Sequence, residues 1–424
     1  MLDTDEQLAR LRQRVAAIDK KFAARKNAPE AAPVARERKW ARSFIEEWSE
    51  GEIVTNEFGA HFQTERLFAS HRTHGSADIG ALSDLPPDLL DALGGGEIPA
   101  AIPERWAFLD TETTGLAGGS GTYAFLIGVG RITPEGFRVR QFFMREYAEE
   151  RSLLHALVEH LNSFDVLITY NGKSYDQPLL ETRYRMTRHK PPFGRLSHLD
   201  LLYGARRLWK LRLESCRLIQ LEQQILGFHR EGDLPGELIP YVYFEYLRSR
   251  EAGRLVPIFH HNAIDILTLA CLTAIVPAAF RSSDAESLAK VGVRRGEELA
   301  GIARWLLAAG QVEEGLELLK RAVSGGLPDD LLFRTLLDIA LWEKKLGRPD
   351  AARSVFTELA GCHNAHRVTA LEELAKFYEH EERNYVLALE FTNQALRFEP
   401  CERLYRRRDR LERRLSKPRP RRLL

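Results

Sequence analysis

Three consecutive apolar segments between about Arg105 and Met144 place the strongest constraint on the fold. The segments RWAFLD, YAFLIGVGRI and FRVRQFFM are rich in aromatic and β-branched residues, and the turn-forming sequence TPEG joins the last two. Apolar runs of this length, bounded by glycine and proline, are typical of β-strands connected by tight turns. We therefore expect an antiparallel sheet at the centre of the molecule.

The pattern after these strands alternates between helix and strand. A helical span near Glu150–Leu161 precedes the buried strand DVLITY, and another helix begins near Asp176. This order predicts a mixed sheet covered by helices on its faces. The apolar run Ile266–Phe280 is shorter than the roughly 20 residues that span a bilayer, so we interpret it as a buried helix and expect no membrane partner.

Beyond about Gly292 only helical periodicity remains, and it repeats. The segments GQVEEGLELLKRAV, GRPDAARSVFTELA and NYVLALEFTNQAL recur about 36–37 residues apart, each preceded by another helical segment. Small residues stand at matching places in them: Gly315, Ala352 and Ala388. Paired helices at this period resemble tetratricopeptide repeats, which stack into a solenoid. This resemblance implies a protein partner for the region.

Two further segments complete the predicted organisation. Residues 1–26 have helical spacing and lead into a linker rich in alanine and proline, whereas Gly51–Phe68 alternates like a small hairpin that precedes the main domain. We predict five parts: an N-terminal helix and linker at 1–50, a small β-containing segment and linker at 51–104, an α/β domain at 105–285, helical repeats at 290–400 and a basic tail at 401–424.

Composition restricts the functional class only weakly. The chain has 424 residues, enough for two or three domains, and 61 Lys and Arg against 60 Asp and Glu give a net charge of +1. Residues 401–424 hold 11 basic against 3 acidic residues, a pattern more typical of a solvated tail than of a nucleic-acid contact. Four scattered cysteines indicate neither disulfides nor zinc, and no signal peptide opens the chain, so we expect a cytoplasmic protein.

Acidic residues stand in three contexts that suit a metal site. Asp110 and Glu112 are two residues apart at the end of the strand FLDTE, so their side chains point to one face. Asp176 follows YNGKSY at the start of a helix, where it would also cap the helix. Asp265 lies in the apolar segment HHNAIDILTLACL, where an ionised carboxylate is costly unless paired or metal-bound. Mg²⁺ prefers such carboxylate oxygens.

The three acidic segments resemble the motifs of the DEDD (DnaQ-like) superfamily of 3′–5′ exonucleases, whose domain has the ribonuclease H-like fold. DTETTG is similar to the first motif, YNGKSYD to the second and HHNAID to the third, over roughly residues 105–280. A group of bacterial ribonuclease H-like proteins, some with C-terminal tetratricopeptide repeats, is similar over further segments such as HREGDLPGELIPYVYFEYL. The resemblance implies a ribonuclease H-like α/β domain followed by an all-α helical-repeat domain.

The same resemblance implies the chemistry of the site. The four acids would bind two Mg²⁺ or Mn²⁺ ions, one activating a water and the other stabilising the leaving 3′ oxygen of a DNA or RNA phosphodiester. A histidine would act as general base. His260 lies five residues before Asp265, as in the histidine-type branch, and His261 lies four before it, as the tyrosine does in the other branch. The sequence HN before the last acid favours His261 but leaves the choice open.

Other residues are weaker candidates. Asp200 would either orient a ligand or cap the following helix. Phosphate contacts are one interpretation of four basic residues, with surface salt bridges as the alternative: Lys173, Arg183, Arg206 and Arg207. His71 and His74 lack acidic or cysteine neighbours in sequence, so we do not expect a metal there.

Three functional hypotheses follow. The leading one is a metal-dependent 3′–5′ exonuclease. The first alternative is a structure-specific endonuclease, because related folds use the same ions for internal cleavage. The second is a non-catalytic scaffold that binds nucleic acid or protein through its repeats, although such a scaffold has no chemical need for four converging carboxylates.

Overall fold

The computed structural model describes residues 44–115, 121–282 and 284–416. The predicted N-terminal helix lies outside these residues, as do positions 116–120 of the glycine-rich loop. The strands are β1 (Glu52–Asn56), β2 (Gly59–Ala69), β3 (Thr73–His74), β4 (Ala77–Asp78), β5 (Trp106–Thr113), β6 (Ala124–Thr133), β7 (Gly136–Phe143), β8 (Val166–Thr169) and β9 (Ser197–Asp200).

The central sheet is mixed, as the sequence predicts. Seven strands follow the order β1-β2-β7-β6-β5-β8-β9, and β3 pairs with β4 in a separate hairpin. The strands from β1 to β5 along this order are antiparallel, whereas β5, β8 and β9 are parallel. Every residue of β8 is buried, as expected for a parallel strand covered on both faces.

Helices surround the sheet and then continue alone. They are α1 (Asp91–Gly94), α2 (Glu150–Leu161), α3 (Asp176–Met186), α4 (Leu201–Trp209), α5 (Leu218–Leu221), α6 (Ile239–Ser249), α7 (Val256–Arg281), α8 (Ala285–Lys290), α9 (Gly296–Ala308), α10 (Val312–Ser324), α11 (Asp329–Lys345), α12 (Pro349–Gly361), α13 (Arg367–His380), α14 (Tyr385–Phe398) and α15 (Glu402–Leu415). A π-helical turn, Glu222–Leu226, extends α5.

Helices cover both faces of the sheet, which confirms the expected layers. Gln141 on β7 donates to the side chain of Asn262 on α7, so α7 lies on that face. The next residue, Phe142, points to the opposite face and stacks on His61, whose ring is hydrogen-bonded to Ser152 of α2. The sheet is therefore buried between α7 and α2.

Two glycines let α7 approach the sheet closely. A Cβ on Gly128 of β6 would lie 2.2 Å from Asn262 Oδ1, and one on Gly130 would lie 2.6 Å from Ile266 Cγ2. The sequence LIGVG therefore provides a groove on one face of β6 into which α7 fits.

The hairpin predicted at residues 51–68 is present, but its place in the fold differs from our expectation. β1 and β2 pair around the turn at Asn56–Gly59, and β2 then pairs with β7 from Phe62 to Ala69. The hairpin thus extends the main sheet and does not form a separate segment before it. Local alternation revealed the hairpin, but its pairing with β7, a strand far along the chain, has no local signal.

Helices α9 to α14 follow one another in three consecutive pairs and form an all-helical region. The small residues at matching places in the sequence, Gly315, Ala352 and Ala388, are all buried. A Cβ on Gly315 would lie 2.7 Å from Leu307 Cγ, so a small residue is needed where α10 crosses α9. This region also contacts the α/β part directly, since Gly301 of α9 packs against the carbonyl oxygen of Arg207.

Most of the segment expected as a basic tail is a packed helix. α15 buries Leu404 and Leu411, and its Arg407 and Arg410 form ion pairs with the buried Glu379 of α13. Leucines seven residues apart on one face explain why the helix docks. Residues 417–424 of the expected tail lie outside the described chain.

One segment in the described chain, Ala252–Arg281, is long and apolar enough to cross a membrane. However, 78% of its most apolar window is buried inside the protein, as in the core helix of a soluble domain.

Candidate active site

Strand β5 carries two predicted ligands, and one of them, Asp110, contacts helix α7. Asp110 pairs across the ladder with Gly128, and Glu112 pairs with Leu126 next to a β-bulge. Asn262 of α7 donates its amide to Asp110 Oδ2 at 2.8 Å. Gln141 holds the other end of this amide by donating to Asn262 Oδ1, also at 2.8 Å. A buried Gln–Asn pair therefore fixes the Asp110 carboxylate.

A tight turn after β8 delivers the third predicted ligand. Asn171 has a φ of 69°, a left-handed conformation that asparagine tolerates well. The carboxylate of Asp200 accepts hydrogen bonds from the backbone N–H groups of Asn171 at 2.8 Å and Lys173 at 3.1 Å. Asp176 then begins α3 and accepts a hydrogen bond from the Thr111 hydroxyl on β5. Asp176 is thereby held beside Asp110 and Glu112.

Helix α7 contributes the fourth predicted ligand from one of its faces. His261, Asp265 and Thr268 are spaced by four and three residues, so they form one stripe along the helix. Asp265 Oδ1 accepts from the guanidinium of Arg230, and Asp265 Oδ2 lies 3.5 Å from His261 Nε2. Asp265 is thus paired within an otherwise apolar helix, as a buried charge requires.

Charges within the group of four acids raise the pKa values of Asp110 and Glu112. Burial raises the pKa of Asp110 well above its usual range, and the charges of Asp265 and Asp176 raise it further. Burial and the charges of Asp110, Asp265 and Asp176 do the same to the pKa of Glu112. Burial also raises the pKa of Asp176, to about 6, despite its hydrogen bond from Thr111. Acids from three separate elements therefore share one partly desolvated site.

Protein donors bind three of the four acids. Within the described ranges, no three His, Cys, Asp or Glu side chains are grouped as a ready-made set of metal ligands. Instead Asn262 binds Asp110, Thr111 binds Asp176, and Arg230 binds Asp265. Glu112 accepts no hydrogen bond from any side chain in the described chain. The carboxylates are hard oxygen donors, the type that Mg²⁺ and Mn²⁺ prefer, so the donor chemistry fits a divalent cation.

The two candidate histidines have different surroundings. His261 is mostly buried, and its Nδ1 lies 3.0 Å from both carboxylate oxygens of Asp233. Burial would lower the pKa of His261, but the Asp233 hydrogen bond and the charges of Asp265 and Asp233 outweigh it, so the pKa is raised. His260 instead accepts a hydrogen bond from Arg66 at 3.0 Å, and burial together with Arg66 lowers its pKa. Only His261 contacts the acids.

Sequence reasoning missed four residues that hold these groups. Asn262 fixes Asp110, Asp233 contacts His261, and Arg230 joins Asp233, Asp265 and Glu222. The segment HREGD, which contains Arg230 and Asp233, carries a usable signal because it puts charges between two apolar helices. Glu222 gives no such signal, since glutamate is common in helices.

The weaker candidates have mainly structural contacts. Asp200 caps α4 through the backbone N–H of Leu202, as one of its two interpretations predicts, and it also holds the turn that leads to Asp176. Arg183 is buried in an ion pair with Glu150 and lies over the ring of Tyr123. The basic side chains of Lys173, Arg206 and Arg207 are exposed. His74 is buried and hydrogen-bonded to Thr268 at 2.8 Å, whereas His71 is exposed.

Comparisons with known proteins agree with this fold. A family described as RNase_H superfamily matches residues 107–276. The uncharacterized protein YprB of Bacillus subtilis (strain 168) is 33% identical over 317 residues, which are 73% of this chain and 75% of that protein. The ribonuclease H superfamily generally comprises nucleases, which act on nucleic acids and usually use divalent metal ions. The chain therefore belongs to the family of YprB, and its residues 107–276 form a domain of the ribonuclease H superfamily.

Proposed function

We propose that this protein is a metal-dependent nuclease that removes nucleotides from the 3′ ends of DNA or RNA. The observation that carries the proposal is the convergence of Asp110, Glu112, Asp176 and Asp265 from β5, α3 and α7. Burial raises the pKa values of the first three, and the charges of Asp265 and Asp176 raise those of Asp110 and Glu112 further. Strongly perturbed carboxylates grouped in this way are typical of functional sites. A purely structural role gives no reason to gather like charges.

The acids would hold two Mg²⁺ or Mn²⁺ ions. Bound there, the ions would supply the chemistry of water activation and of charge stabilisation at the phosphodiester. Glu112 supports this assignment most directly, because it is partly buried among like charges without a side-chain donor in the described chain. A cation would relieve the repulsion that raises the pKa values of these carboxylates.

We assign His261 as the general base that accepts the proton of the attacking water. Its Nδ1 faces Asp233, and its Nε2 faces the acids at 3.5 Å from Asp265 Oδ2. A base must lie within reach of the water that it deprotonates, and only a nitrogen on the acidic side satisfies this condition. His260 instead accepts a hydrogen bond from Arg66 on β2.

A cleavage assay tests the proposal. Purified protein would be incubated with 5′-labelled single-stranded DNA and RNA in Mg²⁺ or Mn²⁺, together with the isosteric variants D110N and D265N. The control variant is D88N, because Asp88 is an exposed carboxylate that forms an ion pair with Arg281, outside the proposed site. We expect a stepwise ladder of shortened products from the wild type and D88N, and loss of the ladder in D110N and D265N.

The same assay separates the alternatives. A single early internal product would favour an endonuclease. Absence of cleavage of every substrate, with nucleic-acid binding unchanged in D110N and D265N, would overturn the enzyme and favour a binding scaffold. Comparison of H260A with H261A assigns the base: we expect H261A to lose turnover by roughly 10²–10⁴-fold, the usual contribution of a general base, and H260A to retain it.

The helical region from α9 to α14 is proposed as a surface for a protein partner. Its support is the repeated pairing of helices around small buried residues such as Gly315 and Ala388, which resembles tetratricopeptide repeats. The proposed protein-binding surface is independent of the proposed 3′–5′ exonuclease activity, because the two proposals rest on different residues.

A further inference from the structure

A continuous chain of polar contacts runs from His261 into the interior of the protein. Its first link is Asp233, whose two oxygens both lie 3.0 Å from His261 Nδ1. The carboxylate is therefore centred on this nitrogen and accepts its proton. The other ring nitrogen, Nε2, is left facing Asp265. Because the hydrogen bond at one nitrogen determines which nitrogen carries the proton, Asp233 selects the form of the ring that has a free lone pair at Nε2.

Arg230 is the second link, and it joins Asp233 to Asp265. Its side chain is only 3% exposed. Its Nη1 lies 3.3 Å from Asp233 Oδ2, and its Nη2 donates to Asp265 Oδ1. One planar guanidinium thus fixes both carboxylates that face the His261 ring, that of Asp233 at Nδ1 and that of Asp265 near Nε2. Since Oδ1 of Asp265 is bound by Arg230, Oδ2 is the oxygen available to a cation.

Glu222 anchors this arginine. Its side chain is fully buried, and its two oxygens accept from Arg230 Nε at 2.7 Å and from Arg230 Nη2 at 2.6 Å. The Thr268 hydroxyl also donates to Glu222, and His74 is hydrogen-bonded to that hydroxyl at 2.8 Å. A buried ion pair of this kind gives little net stability compared with apolar packing, so its retention favours a role in fixing geometry.

The network lies along a single face of α7. His261, Asp265 and Thr268 occupy successive turns of that helix, and the Glu222–Asp233 segment covers all three. Each contact on the helix therefore has a matching contact on the covering segment. A shift of the segment would move Asp233 and Arg230 together, and so would change the contacts of both His261 and Asp265.

We propose that Asp233 is a positioning residue that orients the imidazole of His261 for proton transfer, and that the buried Glu222–Arg230 pair holds Asp233 and Asp265 in place. The proposal rests on the proposed nuclease function for its chemical consequence. Its structural part, the orientation of the ring by Asp233, holds independently of the reaction. The rival role for Asp233 is that of a fifth metal ligand, because its charge also contributes to the raised pKa of Glu112.

Kinetics of D233A and D233N separate the two roles. Misplacement of a catalytic group by about 1 Å can cost on the order of 10²-fold in rate, so we expect kcat to fall by up to about that factor while KM for the oligonucleotide changes little. Mn²⁺ affinity, measured by isothermal titration calorimetry on the metal-free protein, should be unchanged. The matched control is E231Q, an exposed carboxylate two residues away in the same segment. Unchanged kcat in D233A, or a marked loss of Mn²⁺ affinity, overturns the proposal.

A double-mutant cycle tests whether Asp233 acts through His261. If it does, D233A has no further effect on kcat in the H261A background, because the residue that it orients is absent. An additional loss in the double variant would mean that Asp233 acts on substrate or metal directly, and would overturn the positioning role.

A measurement without turnover separates failure of this proposal from failure of the nuclease function. Nitrogen-15 spectra of histidine-labelled, metal-free protein at alkaline pH report which ring nitrogen carries the proton, and H261A identifies the His261 signals. We expect protonated Nδ1 in the wild type and in E231Q, and a shift towards protonated Nε2 in D233A. Identical spectra of wild type and D233A overturn the proposal. The expected shift in a protein that cleaves no substrate would uphold the orientation by Asp233 and overturn only the nuclease function.

Discussion

Gly128 of β6 lies directly beneath Asn262 of α7, so that a Cβ on the glycine would come 2.2 Å from Asn262 Oδ1. The same amide oxygen accepts from Gln141, and the amide nitrogen donates to Asp110. The absence of a side chain at Gly128 is therefore what allows α7 to reach Asp110. This close approach links a glycine in the sheet to the position of a candidate metal ligand.

We expect Gly128→Ala to displace Asn262 and weaken Mn²⁺ binding. An added methyl group in a packed core costs about 1–3 kcal/mol, so the variant should also lower the melting temperature. Gly130→Ala is the matched control, because the atoms nearest to its Cβ would belong to Phe137 and Ile266. Both variants should be destabilised, and only Gly128→Ala should lose Mn²⁺ affinity in calorimetry. Equal affinities in the two variants would contradict the link between Gly128 and Asp110.

Glu112 should destabilise the metal-free protein and stabilise the metal-bound protein. In the metal-free protein at mildly alkaline pH, Glu112→Gln removes one of several repelling charges, so we expect the free energy of unfolding to rise. A cation at 100 times its Kd stabilises the wild type by about 2.7 kcal/mol, and this gain should be absent in the variant. Denaturant unfolding with and without Mn²⁺ measures both effects. Glu65→Gln, which changes a surface carboxylate paired with Arg138 and Arg140, is the control. A metal-free Glu112→Gln protein less stable than the wild type would argue against repulsion at this site.

Much of the fold was predictable because its elements carry strong local patterns. The strands β5 to β7 contain aromatic and β-branched runs, and the apolar segment around Asp265 forms the buried helix α7, as expected. The all-helical region from α9 to α14 was also expected, because its segments carry helical periodicity. The pairing of β2 with β7 was not predictable, because it depends on contacts between distant segments.

The acidic residues of the candidate site were predictable from the sequence, whereas the residues that hold them and His261 in place were less so. Asp110, Asp176 and Asp265 each stand in a recognisable context, whereas Arg230 and Asp233 lie in an irregular segment with no periodicity. The contacts of these two residues depend on how that segment lies over α7, which only the tertiary structure reveals. The sequence left the choice between His260 and His261 open for the same reason. Neighbouring residues on a helix face different surroundings, and only the tertiary structure shows that His260 contacts Arg66 whereas His261 contacts Asp233.

Asp200 should matter more than an ordinary helix cap. Asp200→Ala removes the acceptor for Leu202 and for the turn N–H groups of Asn171 and Lys173, so we expect a loss of about 2–4 kcal/mol in the free energy of unfolding. Asp284→Ala removes an exposed cap of α8 and should cost only about 1 kcal/mol. Urea titrations measure the difference. Equal losses in the two variants would mean that the turn before Asp176 does not depend on Asp200.

The Glu222–Arg230 pair should make stability sensitive to acid. Burial by itself would raise the pKa of Glu222. Pairing with Arg230 outweighs burial and lowers this pKa from its ordinary 4.5 to about 2. A depressed pKa stabilises the fold above the unfolded-state value, and this contribution, roughly 3 kcal/mol, is lost as pH falls from about 5 towards 2. We expect E222Q to show a shallower loss of stability than the wild type over this window in urea titrations at several pH values. Parallel pH profiles for the two proteins would show that Glu222 does not titrate as the pairing requires.

Contact between α9 and α4 should reverse the usual effect of a glycine-to-alanine change. In an exposed helix, Gly→Ala stabilises by about 1 kcal/mol. At Gly301, however, the new Cβ would lie 2.4 Å from the carbonyl oxygen of Arg207, so we expect Gly301→Ala to destabilise the protein. Gly361 of α12 has no atom within 4 Å of the corresponding Cβ, so Gly361→Ala should be neutral or stabilising. Thermal unfolding and limited proteolysis of the full chain compare the two variants. If Gly301→Ala melts at or above the wild-type temperature, the helical region is not held against α4 by this close contact.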